Sequence, residues 1–140
     1  MSRRRIARCA FALATVLGLS SGCVDRLPDQ DLRILTATPI AKLSADLLWT
    51  EFQQNATEAR RSYFGKVVEV TGTATKVGTD APGQRFIIFG QPGDTGVRAN
   101  LLDEAASAVL SNIPENRRMT VRCYCEGLAG DVVLKSCVKP

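Results

Sequence analysis

Lys66-Val67-Val68-Glu69-Val70-Thr71-Gly72-Thr73-Ala74-Thr75 is the stretch on which the fold turns. Its β-branched residues alternate with others, so one set of side chains falls on each face of an extended chain. Gly72 inside that run predicts a sharp bend or bulge, the device by which small barrels close. Upstream, Leu47, Leu48, Phe52, Asn55, Ala59 and Tyr63 recur at roughly helical spacing with charged residues between them. That spacing predicts a helix packed on the strands by one face. Ser44 is its N-cap, Asp46 suits its first turn, and Gly65 ends it.

Downstream, Arg85 to Phe89 and Val97 to Leu101 read as second and third strands, separated by the turns at 78–84 and 90–96. Val97, Ala99 and Leu101 share one face, and Arg98 and Asn100 the other. Asp103 to Asn112 reads as a short helix capped by Asp103. Arg118 to Glu126 and Asp131 to Val138 are fourth and fifth strands around a turn at Gly127 to Gly130. A β-sandwich wants about seven strands. Five strands, with a helix after the third and another packed from the N-terminal side, is the plan of a mainly β OB-fold, a Greek-key barrel.

The first 22 residues stand apart. Arg3, Arg4, Arg5 and Arg8 precede an apolar run from Cys9 to Leu19, and Ser20-Ser21-Gly22-Cys23 follows. This is the layout of an export signal. The run is well short of the ~20 residues that span a bilayer. Small residues before Cys23 predict cleavage at that point and lipidation of Cys23, with enough acyl chains for stable anchoring. Arg-Arg alone is weak evidence for the twin-arginine route, and ordinary unfolded export is favoured. Val24, where an Asp would favour inner-membrane retention, leans towards an outer membrane facing the periplasm. Residues 23–42 are polar, with Pro28 and Pro39 and no sustained period, and read as a flexible tether. Residues 43–140 form the domain.

Removing residues 1–22 takes four of the 18 basic residues, leaving 14 basic against 14 acidic in a mature chain of 118. That neutrality argues against a nucleic-acid partner, which wants a basic surplus or stripe. There is no histidine, so imidazole metal sites and His-based catalysis are excluded. Cys123, Cys125 and Cys137 remain after export and lipidation. An odd number of thiols in an oxidising compartment implies one bridge and one leftover thiol. Three thiols without histidine make a poor zinc site, and no metal or cofactor is expected.

Asn55-x3-Ala59-x3-Tyr63-x-Gly65-Lys66-x-Val68-x-Val70-x-Gly72 resembles the start of a family of bacterial lipoproteins with a tRNA-anticodon-like OB-fold. Val121-Arg122-Cys123-Tyr124-Cys125-Glu126-Gly127 and Gly130-Asp131-Val132-Val133-Leu134-Lys135-Ser136-Cys137 resemble its end. The resemblance implies the OB-fold and an exported, lipid-anchored setting; it implies little chemistry. Cys123 stands where the family pattern has Gly, and Ala99 where relatives often carry Cys. The partner of Cys137 is therefore open: Cys125, across the last hairpin, is favoured, with Cys123 as the alternative. A bulge near Gly127 or at the strand end would be needed to turn Cys137 inward.

Asn55, Ala59 and Tyr63 read as packing residues. An OB-fold ligand face lies across its second and third strands. Here it would carry Arg85, Phe86 or Ile87, Arg98 and Asn100. Asp80, Asp94, Asp103 and Glu104 sit in or beside turns, where capping and solvation account for them. Arg60-Arg61, Lys66 and Arg117-Arg118, offset by Glu58, Glu69 and Glu115, read as ordinary surface charge. The expectation is a non-catalytic binding module for an envelope polymer or protein. A structural accessory docking by an edge strand or the N-terminal helix is the alternative.

Overall fold

The computed structural model describes residues 30–80, 83–90, 95–103 and 116–140. The signal segment, Cys23 and residues 104–112 of the expected short helix lie outside the described residues.

A 3-10 turn at Leu32–Leu35 comes first, followed by β1 (Ala41–Ser44), α1 (Ala45–Gln54) and α2 (Ala56–Tyr63). The strands β2 (Val67–Thr79), β3 (Arg85–Gly90), β4 (Gly96–Leu101), β5 (Arg117–Ala129) and β6 (Asp131–Val138) follow. The strand order is β1-β2-β3-β4-β6-β5, and β5 pairs back onto β2. Strands β2 to β6 thus form a closed five-stranded barrel in OB-fold order, with β1 as an extra strand.

β2 closes the barrel by serving two neighbours. Val67 to Ala74 pair with β5, and Ala74 to Thr79 pair with β3. The register slips between Ala74 and Lys76, at this handover. The expected irregularity therefore falls at Thr75, not at Gly72. Gly72 serves close packing instead: a Cβ there would lie 2.9 Å from Ala45 Cβ and 3.0 Å from Phe89 Cδ1. The glycine lets α1 sit into the barrel mouth, where Leu48 and Phe52 join Val68, Val70, Val121 and Leu134 in the core. Full burial of each large apolar side chain contributes about 1.5–3 kcal/mol.

The single expected helix is two. The Ser44 hydroxyl accepts from Leu47 N–H and caps α1, as the sequence predicts. Asn55 then ends α1 and caps α2, its side chain accepting from Glu58 N–H at 3.1 Å. Its backbone conformation (φ −153°, ψ 85°) is not helical. The new direction brings Ala59 onto the core.

The tether reading of residues 23–42 does not hold from Gln30 onward. Ile34 is fully buried with Val67, Leu102 and Val138 on the outside of the barrel. Asp31 N–H donates to Ser136 Oγ, and Arg33 holds the Asp31 carboxyl below its usual pKa by hydrogen bonding. Ala41 to Ser44 then run parallel to Val68 to Thr71. Composition had no period to show here, because only Ile34 needs burial and β1 is four residues long.

The bridge joins Cys123 to Cys137, with Cα atoms 4.3 Å apart, and not Cys125 to Cys137. The cause is register. Arg122 pairs with Val138 but Tyr124 with Lys135, so β6 carries one extra residue there. Ser136 takes a positive φ of 53° at that point, and Cys137 turns inward against Cys123. Cys125 then falls opposite Leu134, and a second slip follows before Gly127, where φ is 105°. Cys125 remains a buried thiol. Burial pushes its pKa up to about 11, so it stays protonated at neutral pH.

Candidate functional site

The outer surface of β3 and β4 is built from alternate residues. Ile87 and Phe89 point into the core, which leaves Phe86 and Ile88 outside. Phe86 stands opposite both Asn100 on β4 and Gly78 on β2, and Ile88 opposite Arg98. Of the two residues expected at this position, Phe86 therefore takes the face and Ile87 the core.

Phe86 is nevertheless only 7% exposed. One cause is Gly78: a Cβ there would lie 2.9 Å from Phe86 Cζ, so the ring packs across the glycine. The other is Arg98, whose guanidinium lies 4.0 Å from the ring centroid. Arg98 is held from both sides, Nε donating to Asn100 Oδ1 at 3.0 Å and an Nη pairing with the Asp80 carboxylate. The cation is thus neutralised by its own chain while its planar edge stays near the surface. Arg85 is half-buried at the start of β3.

A chain of amides closes one end of this face. Gln84 Nε2 donates to Leu101 O at 2.9 Å. Gln30 Nε2 donates to Gln84 Oε1 at 3.2 Å, and its Oε1 accepts from Asp103 N–H at 2.7 Å. Gln30, Gly78, Asp80 and Gln84 were not expected at the site as functional residues. Gly78 and Asp80 carried a readable signal, because they flank a turn leading into the expected face. Gln30 carried none, since its role depends on the docked N-terminal segment.

The packing residues of α2 sit away from this face. Ala59 is buried, and Tyr63 packs partly against the core, 6.5 Å ring to ring from Phe52. A hydrogen bond to the Glu51 carboxylate, aided by burial, pushes the Tyr63 pKa up to about 12. The five basic residues read as surface charge do not converge. Arg117 and Arg118 pair with Ala74 and Thr73, whereas Lys66 precedes the opposite end of β2. Arg61 pairs with Glu58, and Glu69 with Lys42.

A cleft of about 170 Å³ opens between α1 and the β3–β4 hairpin, lined by Asp46, Trp49, Phe89, Gly90, Thr95 and others. Among the described residues no three cysteine, aspartate or glutamate side chains gather as a metal site. None of the described helices is long and apolar enough to cross a membrane.

The tRNA_anti-like profile matches residues 12–138. The chain belongs to the tRNA_anti-like family. No curated protein matches it. Among solved structures, it is similar to the crystal structure of a "putative nucleic acid-binding lipoprotein" from Klebsiella pneumoniae subsp. pneumoniae MGH 78578. The TM-score is 0.52 at 14% identity, over 74% of this chain and 90% of that one. At that identity the likeness is one of fold, and it agrees with the strand order of this tRNA_anti-like barrel.

Proposed function

We propose that this tRNA_anti-like chain is exported, lipid-anchored to the cell envelope at Cys23, and acts as a non-catalytic binding module. Its ligand face is the outer surface of β3 and β4, and its ligand is an envelope polymer rich in hydroxyl groups. The observation that carries this reading is the Arg98–Asn100–Asp80 cluster roofing Phe86. Planar donors and acceptors lie side by side over an apolar floor, which suits hydroxyl-bearing rings. Single-strand nucleic acid instead wants open aromatic platforms in a positive groove. Here the ring is covered and the arginine is already paired. The description of the Klebsiella protein as nucleic acid-binding keeps that reading as the competitor. In an envelope with two membranes, Val24 after the lipidated cysteine favours the outer membrane facing the periplasm.

The test is binding of the full lipidated protein to soluble peptidoglycan glycan strands and to a single-stranded oligonucleotide. Glycan binding that is lost on Arg98→Glu is the expected result. Tight oligonucleotide binding that weakens steeply with salt would replace the glycan with nucleic acid. Indifference of both ligands to Arg85→Glu and Arg98→Glu would remove the face itself from consideration. Cross-linking in intact cells that recovers one protein partner through β1 or α1 would favour the accessory role.

A further inference from the structure

We infer that the exposed surface around the start of β2 rests on the anionic membrane that holds the chain's own lipid anchor. Leu35 is 50% exposed, Ile40 58% and Phe64 49%, large apolar side chains left open to solvent. Backbone contacts gather them about Val67. Ile40 N–H donates to Val67 O at 2.8 Å. Leu35 follows Ile34, which packs on Val67. Phe64, Gly65 and Lys66 lead directly into Val67, and Gly65 N–H and Lys66 O are bonded to Cys125.

Two cations border these residues without a carboxylate. The Arg60 guanidinium lies 4.0 Å from the Phe64 ring centroid, and Lys66 Nζ reaches only the Arg61 carbonyl at 3.4 Å. Neither has an ion-pair partner among the described residues. Apolar side chains bordered by two cations that have no carboxylate partner among the described residues are the composition of a surface that settles into headgroups carrying negative charge.

The length of chain outside the structure commits this surface to a membrane. Gln30 is the first described residue, four positions before Ile34. Six residues lie between it and Cys23, and the seven steps from one to the other reach at most about 25 Å. A compact domain of about 100 residues has a radius of gyration of about 13 Å. The tether is therefore no longer than the domain it holds. The barrel stays within one tether length of the bilayer, and surfaces near the chain's point of entry meet lipid most readily. Ile34 joins that entry point directly to the Val67 neighbourhood.

This inference rests on lipidation of Cys23, and its test separates the two. Single-tryptophan versions of the full lipidated protein, in a Trp49→Phe background, are placed in vesicles of phosphatidylcholine with 30% phosphatidylglycerol and brominated acyl chains. Phe64→Trp should be quenched at least threefold more than Thr73→Trp, an exposed position on β2 that adjoins the Ala74–Phe89 pair, at the opposite end of β3 from Gln84 and Gln30. Equal quenching at both positions overturns the surface assignment. The mass of the N-terminal peptide reports lipidation independently. If Cys23 carries no lipid, the anchor fails and the surface is still measured by co-sedimentation with the same vesicles. Arg60→Glu with Lys66→Glu should then weaken binding by about 25-fold or more, at about fivefold for each cation lost. Binding unchanged by both reversals overturns it again.

Discussion

Arg98 over Phe86 and Arg60 over Phe64 have the same geometry, each guanidinium 4.0 Å from its ring centroid. Their surroundings differ in every other respect. Phe86 is 7% exposed, pressed between Gly78 and an arginine that Asp80 and Asn100 hold in place. Phe64 is 49% exposed, and its arginine has no carboxylate partner among the described residues. A cation over a ring is worth ~0.5–1 kcal/mol at the surface and ~2 kcal/mol or more when desolvated. The ring of the first stack is therefore part of the barrel wall with only its polar roof at the surface, and the ring of the second is itself exposed. An arginine–aromatic pair in the sequence does not say which of these it is.

The largest expected effect falls on both stacks together. The Cys123–Cys137 bridge ties β5, beneath the Phe64 stack, to β6, which runs beside the Arg98 stack. Reduction, or Cys137→Ala, should lower unfolding free energy by about 2–4 kcal/mol in urea titrations. Cys125→Ala should leave the bridge intact, and no thiol at Cys123, Cys125 or Cys137 should then react with an alkylating agent under denaturing, non-reducing conditions. A reactive thiol at Cys123 would show that β5 and β6 pair in a different register.

Truncating the two rings separates the stacks. Phe86→Ala should cost about 3 kcal/mol, within the range for a buried ring. Phe64→Ala should stay within about 0.5 kcal/mol, as surface substitutions do. Similar losses at both positions would break the comparison. The arginines should follow with smaller numbers. Arg98→Ala removes the roof of Phe86 and strands Asp80, at about 1 kcal/mol. Arg60→Ala should be close to neutral in the same titration.

The barrel was largely legible because strand alternation and turn residues agree across β2 to β6. Gly72 was readable as special, yet its reason was not: it clears space for Ala45 and Phe89, which lie far from it in sequence. Asn55 followed three residues later by Glu58 is an N-terminal capping pattern, masked by apolar spacing that continued through it. The docked segment at 30–44 was invisible because one buried side chain and four strand residues leave no period. The disulfide was misread for a sharper reason. Alternation predicts facing residues only while the ladder is regular, and two slips between Arg122 and Gly127 of β5, opposite Val138 to Val133 of β6, break that rule. On the candidate face, the residue types were legible, while their pairing with Gly78 and Asp80 depended on how β2 bends.

The remaining expected effect is alkaline and belongs to the Phe64 side alone. Tyr63 hydrogen-bonds Glu51, which together with burial lifts its pKa from 10.0 to about 12. The unfolded chain loses that proton first, so stability is full below pH 10 and declines as pH rises towards 12. Cys125 shifts in the same sense, from 9.0 to about 11, chiefly by burial. A Cys125→Ala background therefore isolates Tyr63 and also prevents thiolate attack on the bridge. In that background, urea titrations at pH 8 and pH 11.5 should show the tyrosine protein losing stability between the two. Tyr63→Phe should be weaker at pH 8, for want of the Glu51 bond, and should lose less on going to pH 11.5. Parallel losses in both proteins would place the alkaline transition elsewhere. A Tyr63→Phe protein with the shallower slope would show that the helix beneath the open stack loosens in alkali through this hydroxyl.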